Sequence, residues 1–157
     1  MRRIIGLLTS LYDPSVRYRL KSRIELFQPE VIWCHSVARA IGPYGLSAVN
    51  TSDALRLKTY HDLGYFGLYA TAFEHESELD RPQTFTEFYR HAPLIDRIFP
   101  LYIWLKFKKL RQIAGVLRDF DLHIVPSDFM KQAVATYLNK PEAPICTIPH
   151  AIHHERT

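Results

Sequence analysis

The sequence predicts an α/β domain: a parallel sheet flanked by helices. Three observations carry that prediction. Short, mostly apolar runs recur at Val31–Cys34, Asp121–Val125 and Ile145–Ile148. Segments of helical periodicity separate them, and strands alternating with helices indicate parallel pairing. Hydrophobic residues make up 47% of 157 residues, enough for the core of one domain.

Each element has a local reason. Asp13 can cap a helix and Pro14 suits its first position. Val16, Leu20, Ile24 and Phe27 then repeat at helical spacing, which predicts their burial, and Gln28-Pro29 ends the helix. Val31–Cys34 reads as a strand covered on both faces. Ser36–Ala40 starts a second helix, with Gly42-Pro43 and Gly45 as its end. Leu55–Tyr60 is a second strand, leading into His61-Asp62; residues 65–90, rich in aromatics and acids, take no assignment. A helical pattern runs from Pro93 to Arg118, interrupted at Pro100, with Ile103, Phe107, Leu110, Ala114 and Leu117 as its core stripe. After the strand at Asp121–Val125, Ser127 caps a helix carrying Lys131, Val134 and Leu138, and Ile145–Ile148 is the last strand.

Composition excludes several classes. Lysine plus arginine is 20 and aspartate plus glutamate is 16, a net charge of +4. A dedicated nucleic-acid binder would show a larger excess or a basic stripe, so no nucleic acid is expected. Two cysteines, Cys34 and Cys146, make no disulfide framework and fit a reducing, cytoplasmic setting. The run Met1–Leu8 is too short for a signal peptide, and no stretch reaches the roughly 18 apolar residues of a membrane span.

Four motifs in order resemble a known family. Gln28–His35 resembles the "kPDvihvH" strand of family 4-type glycosyltransferases of the GT-B fold, and Lys58–Asp62 is similar to their "tlHD" strand end. Asp121–Lys131 is similar to "Da.v.pSefmk", and Ile145–Ile152 to "i.viPhGi", the strand that closes the N-terminal domain. The resemblance spans about residues 10–154 and implies a Rossmann-like sheet in a single, partial N-terminal domain over 1–157. It departs from the pattern in three places. No glycine-rich loop precedes Asp13, Ala151 stands where the family has glycine, and the second, donor-binding domain would begin where the chain ends. The expectation is therefore the acceptor-side half of a sugar transferase, inactive alone. Its partner would be the missing domain or a neighbouring chain, which holds the nucleotide-sugar; no cofactor or metal is bound by this chain.

Ligands of a parallel sheet sit beyond the carboxyl ends of its strands. That places His35, His61-Asp62, Ser127 and Pro149-His150 on one rim. The resemblance implies that His61 hydrogen-bonds the donor sugar, with Asp62 fixing its tautomer; the alternative is a strand-end turn without chemistry. His35 is an acceptor contact or a structural histidine. Ser127 and Lys131, at a helix N-terminus, suit an anionic ligand or are a plain cap and a solvated lysine. Cys146, His150, His153 and His154 match no strong zinc spacing. His35, His61-Asp62 and Asp121 mimic the H…HD…D order of metal-dependent phosphohydrolases, whose ligands sit on helices, not strands.

A second function remains open. From Arg97 to Arg118 there are six cations and no acid. Trp104, Lys108 and Arg111 share one helical face, with Lys106 and Lys109 nearby. Such a face suits an anionic membrane surface or an acidic partner. Relatives that act on lipid-linked glycan acceptors would use it on the inner face of a membrane.

Overall fold

The computed structural model describes residues 11–35, 41–61, 84–90, 92 and 94–149. The first helix, α1, runs Pro14–Phe27. Asp13 Oδ1 caps it, accepting the amides of Ser15 at 3.0 Å and Val16 at 3.1 Å. The Ser15 hydroxyl and these amides hold the Asp13 carboxyl below its ordinary range. Gln28 ends the helix in a left-handed turn, φ 43°. Leu20 and Ile24 pack on the core, but Phe27 is exposed, a correction to the expected stripe. It is the last residue of the helix, 70% exposed.

Strand β1 is Val31–Cys34. Helix α2, Pro43–Leu46, and a 3₁₀ turn at Val49–Thr51 follow, then β2, Leu55–Thr59. The Ser36–Ala40 helix start lies outside the described residues. Gly42-Pro43 opens α2, because proline fits a first turn. Gly45, expected as a helix stop, lies inside α2 instead, and a Cβ there would come within 2.7 Å of Val16 Cγ1 and 2.9 Å of Ile41 Cγ2. It is the point where α1 and α2 meet.

Helix α3, Phe85–Arg90, falls in the unassigned stretch and starts with a capping box. Thr84 Oγ1 accepts the Glu87 amide at 3.3 Å, and Glu87 Oε2 accepts the Thr84 amide at 2.8 Å. The long pattern divides at its proline into α4, Leu94–Arg97, and α5, Pro100–Leu117. Strand β3 is Leu122–Val125, helix α6 is Asp128–Leu138, and strand β4 is Ile145–Thr147.

The four strands lie side by side in chain order, β1-β2-β3-β4, all parallel. Arg56 on β2 clasps Asp121 before β3, its Nε and Nη2 donating to the carboxylate at 3.0 and 3.2 Å. That clasp holds the Asp121 carboxyl below its usual range. A right-handed crossover repeated in one direction puts every connecting helix on the same side. The core fits this rule: Cys34, Tyr60 and Val125 of the sheet pack with Leu46, Leu117 and Val134 of the helices. A second cluster joins α3 to α5 through Phe88, Ala92 and Ile103.

The other sheet face carries Val31, Trp33, Leu55, Leu57, Leu122, Ile124 and Cys146, as the register requires. Val31, Leu55 and Trp33 are 47%, 48% and 56% exposed. The expectation that β1 is covered on both faces is thus corrected. Among the described residues, consecutive strand order leaves that side without helices. Cys34 is buried in β1 and Cys146 exposed in β4. Three strand spacings, about 14 Å, separate those strands and preclude a disulfide within the chain.

Candidate functional site

The carboxyl edge of the sheet gathers strand ends from distant parts of the chain. Side chains alternate along a strand, so Trp33 and His35 project to one face, and Thr59 and His61 project to that same face from the neighbouring strand. The Trp33 indole Nε1–H donates to Thr59 Oγ1 at 2.8 Å. The Trp33 and His35 rings lie 4.8 Å apart, tilted by 37°. His35 Nδ1 lies 3.2 Å from His61 Nε2. Both histidines are exposed. Two residues named separately in the sequence thus form one unit; Asp62 and His150 lie outside the described residues.

At the next strand end, Ser127 caps α6, its Oγ accepting the Met130 amide at 3.3 Å. Asp128 occupies the first helical position and accepts the Thr147 hydroxyl at 2.9 Å. A carboxylate therefore already stands where the helix N-terminus attracts negative charge. Lys131, one turn on, is exposed. Asp121 lies at the opposite end of the sheet, opposite Arg56. His61 is five residues further along, about 16 Å away. One metal could not join them, so the H…HD…D resemblance has no spatial counterpart.

Beneath the rim, on the helix-covered face, three polar side chains are fully buried: Lys58, Tyr60 and His123. The Tyr60 hydroxyl meets His123 Nδ1 at 3.1 Å. The Lys58 ammonium donates to the Thr59 carbonyl and lies over the Tyr60 ring, 4.7 Å from its centroid. Burial above all, then the charges of Lys140 and Lys58, pushes His123 down to about 4. Sequence reasoning passed over this cluster. Its one signal was a histidine set inside the apolar run Leu122-His123-Ile124-Val125.

The basic helix is less uniform than its sequence. Trp104, Lys108 and Arg111 are exposed, with the Lys108 ammonium 5.0 Å from the Trp104 ring centre. Lys106 is half-buried and lies over Tyr102 at 4.6 Å. Lys109 is half-buried on another side of the helix, and burial lowers its pKa. Lys108 also borders a groove of about 540 Å³, walled by Tyr12, Tyr44, Asn50, Gln112 and Asp119. Among the described residues, no helix is long and apolar enough to cross a membrane.

A family model described as Glycosyltransferase Family 4 matches residues 2–156. No curated protein and no solved structure matches the chain. With nearly every residue inside that match, and a parallel α/β sheet beneath it, the chain belongs to glycosyltransferase family 4.

Proposed function

We propose that this domain holds the acceptor side of a reaction that moves a sugar from a nucleotide-sugar to an acceptor hydroxyl. The observation that carries the reading is the rim pair His35–His61, at the strand ends where a parallel sheet takes its ligands. Imidazole can donate to or accept from a hydroxyl at neutral pH, which suits contact with a sugar. His61 is the side chain assigned to the reacting sugar, with Asp62 beside it in sequence and His35 toward the acceptor. Ser127 is spent on capping, which leaves Lys131 to meet an anionic part of a ligand.

The donor diphosphate is assigned to a second domain, in the same chain or a neighbouring one. Asp128 at the N-terminus of α6 supports this, since its charge opposes a second anion there. Transfer is therefore expected only when this domain is joined by a donor-binding one. The test is glycosyl transfer from a panel of nucleotide-sugars, by this chain alone and with a donor-binding partner. His61→Ala should lower transfer about tenfold, the worth of one hydrogen bond made in the transition state. Transfer by the chain alone would sink the two-domain reading; undiminished transfer by His61→Ala would sink the assignment of His61.

One observation favours a second, compatible role at a membrane surface. Around the corner between α4 and α5, Leu94, Ile98, Phe99, Leu101 and Trp104 are all exposed. Lys108 and Arg111 flank them on the exposed face of α5. Apolar side chains ringed by cations suit an anionic headgroup layer. Flotation with anionic vesicles tests this: Trp104→Ser with Lys108→Glu and Arg111→Glu should abolish binding that wild type shows, and unaltered binding would refute the role.

A further inference from the structure

The geometry of the two rim histidines says more than that they touch. His35 Nδ1 and His61 Nε2 are 3.2 Å apart, while the ring centroids are 5.5 Å apart. The difference, 2.3 Å, is two ring radii, so both nitrogens lie on the line joining the centroids. The ring planes differ by only 16°. The imidazoles therefore meet edge to edge, head on. A chelated metal would need both lone pairs to converge off that line, at about 2.0–2.1 Å from the ion. Head-on nitrogens at this distance make an N–H···N hydrogen bond instead.

Such a bond constrains both rings at once. A neutral imidazole has one N–H and one bare nitrogen. Of the two facing nitrogens, one carries the hydrogen and the other accepts it. If His35 Nδ1 carries it, His61 Nε2 is bare and the hydrogen of His61 sits on its Nδ1. If His61 Nε2 carries it, His35 Nδ1 is bare and the hydrogen of His35 sits on its Nε2. The two rings thus hold the same tautomer, both Nδ1–H or both Nε2–H. Mixed states would set two hydrogens or two lone pairs against each other.

We propose that His35 is the positioning residue of His61, fixing its ring plane and tying its tautomer to its own. The two then act as one donor–acceptor unit toward a sugar hydroxyl, which itself both donates and accepts. Trp33 supports the unit from below, packed on His35 and tied to β2 through the Thr59 hydroxyl. The sugar-contact part rests on the function proposed above; the coupling of the two rings does not.

The test needs no substrate. Long-range ¹H–¹⁵N NMR of the full, ¹⁵N-labelled chain, at a pH where histidine is neutral, reads the tautomer of each ring. Wild type should show equal tautomer populations for His35 and His61, and His35→Ala should move the His61 nitrogens away from their wild-type values. The buried His123 ring is the internal reference and should not move, which separates loss of coupling from loss of fold. If His35→Ala does not fold, His35→Gln supplies a carboxamide at that position, and it should keep the ring placed while releasing its tautomer. Unequal populations in wild type, or unchanged His61 nitrogens in a folded variant, would overturn the proposal. Equal populations together with undiminished sugar transfer by His61→Ala would leave the couple standing and remove its role in transfer.

Discussion

The two faces of the sheet do not sort strictly by polarity. The helix-covered face buries a lysine, a tyrosine and a histidine, while the bare face shows valine, leucine and tryptophan to solvent. The difference teaches that coverage follows from strand order, not from side-chain polarity. On the covered face Tyr60 meets His123 Nδ1, while His123 Nε2 has no hydrogen-bond partner among the described residues. On the bare face, the described residues place no helix over a surface whose composition suits burial.

Removing core volume on the covered side should have the largest effect. Leu117 is fully buried between the sheet and α6, so Leu117→Ala should cost about 2–5 kcal/mol in urea unfolding. A cost below about 1 kcal/mol would mean that this face is not the organising core.

The buried histidine gives the next effect, and its sign is fixed. His123 folded titrates near 4 and unfolded near 6.5, so between those values the unfolded chain binds the extra proton. Stability should fall as pH drops from about 6.5 to 4, by up to about 3 kcal/mol. His123→Phe should flatten that slope; an unchanged slope would show that another group sets it.

Smaller effects sharpen the contrast. Ser127→Ala removes the cap of α6 and should cost about 1 kcal/mol, read as a lower melting temperature. On the bare face, Trp33→Ser should cost about 1 kcal/mol, well below Leu117→Ala, since a half-exposed side chain loses one hydrogen bond and its contact with His35. It should also reduce binding of an apolar fluorescent dye. A loss comparable to Leu117→Ala would show that the bare face contributes as much as the covered one.

What could be read in the sequence was what depends on neighbours along the chain. The caps at Asp13 and Ser127, the break at Pro100 and the four short strands all rest on contacts within a few residues. The Thr84–Glu87 capping box was equally local and went unread because the surrounding stretch had no clear period. What could not be read depends on pairing at a distance. Trp33 looked like core because its strand is apolar; only the strand order leaves it uncovered. Gly45 looked like a helix stop until Val16, 29 residues earlier, came to rest against it. His35 and His61 were both placed on the rim, but the bond between them follows from the β1–β2 register.

Strand order also has a kinetic side. Twenty residues separate β1 from β2 and nineteen separate β3 from β4, but sixty-two separate β2 from β3. Closing that longer excursion costs about 1 kcal/mol more entropy than either short one. Each short-looped pair is expected to assemble early as a local unit, with the β2–β3 seam joining last. The Arg56–Asp121 clasp spans that seam and acts after the encounter, as a latch. The His35–His61 couple lies wholly within the first unit, whereas Ser127 and Lys131 belong to the second. The rim is therefore completed only when the two halves dock.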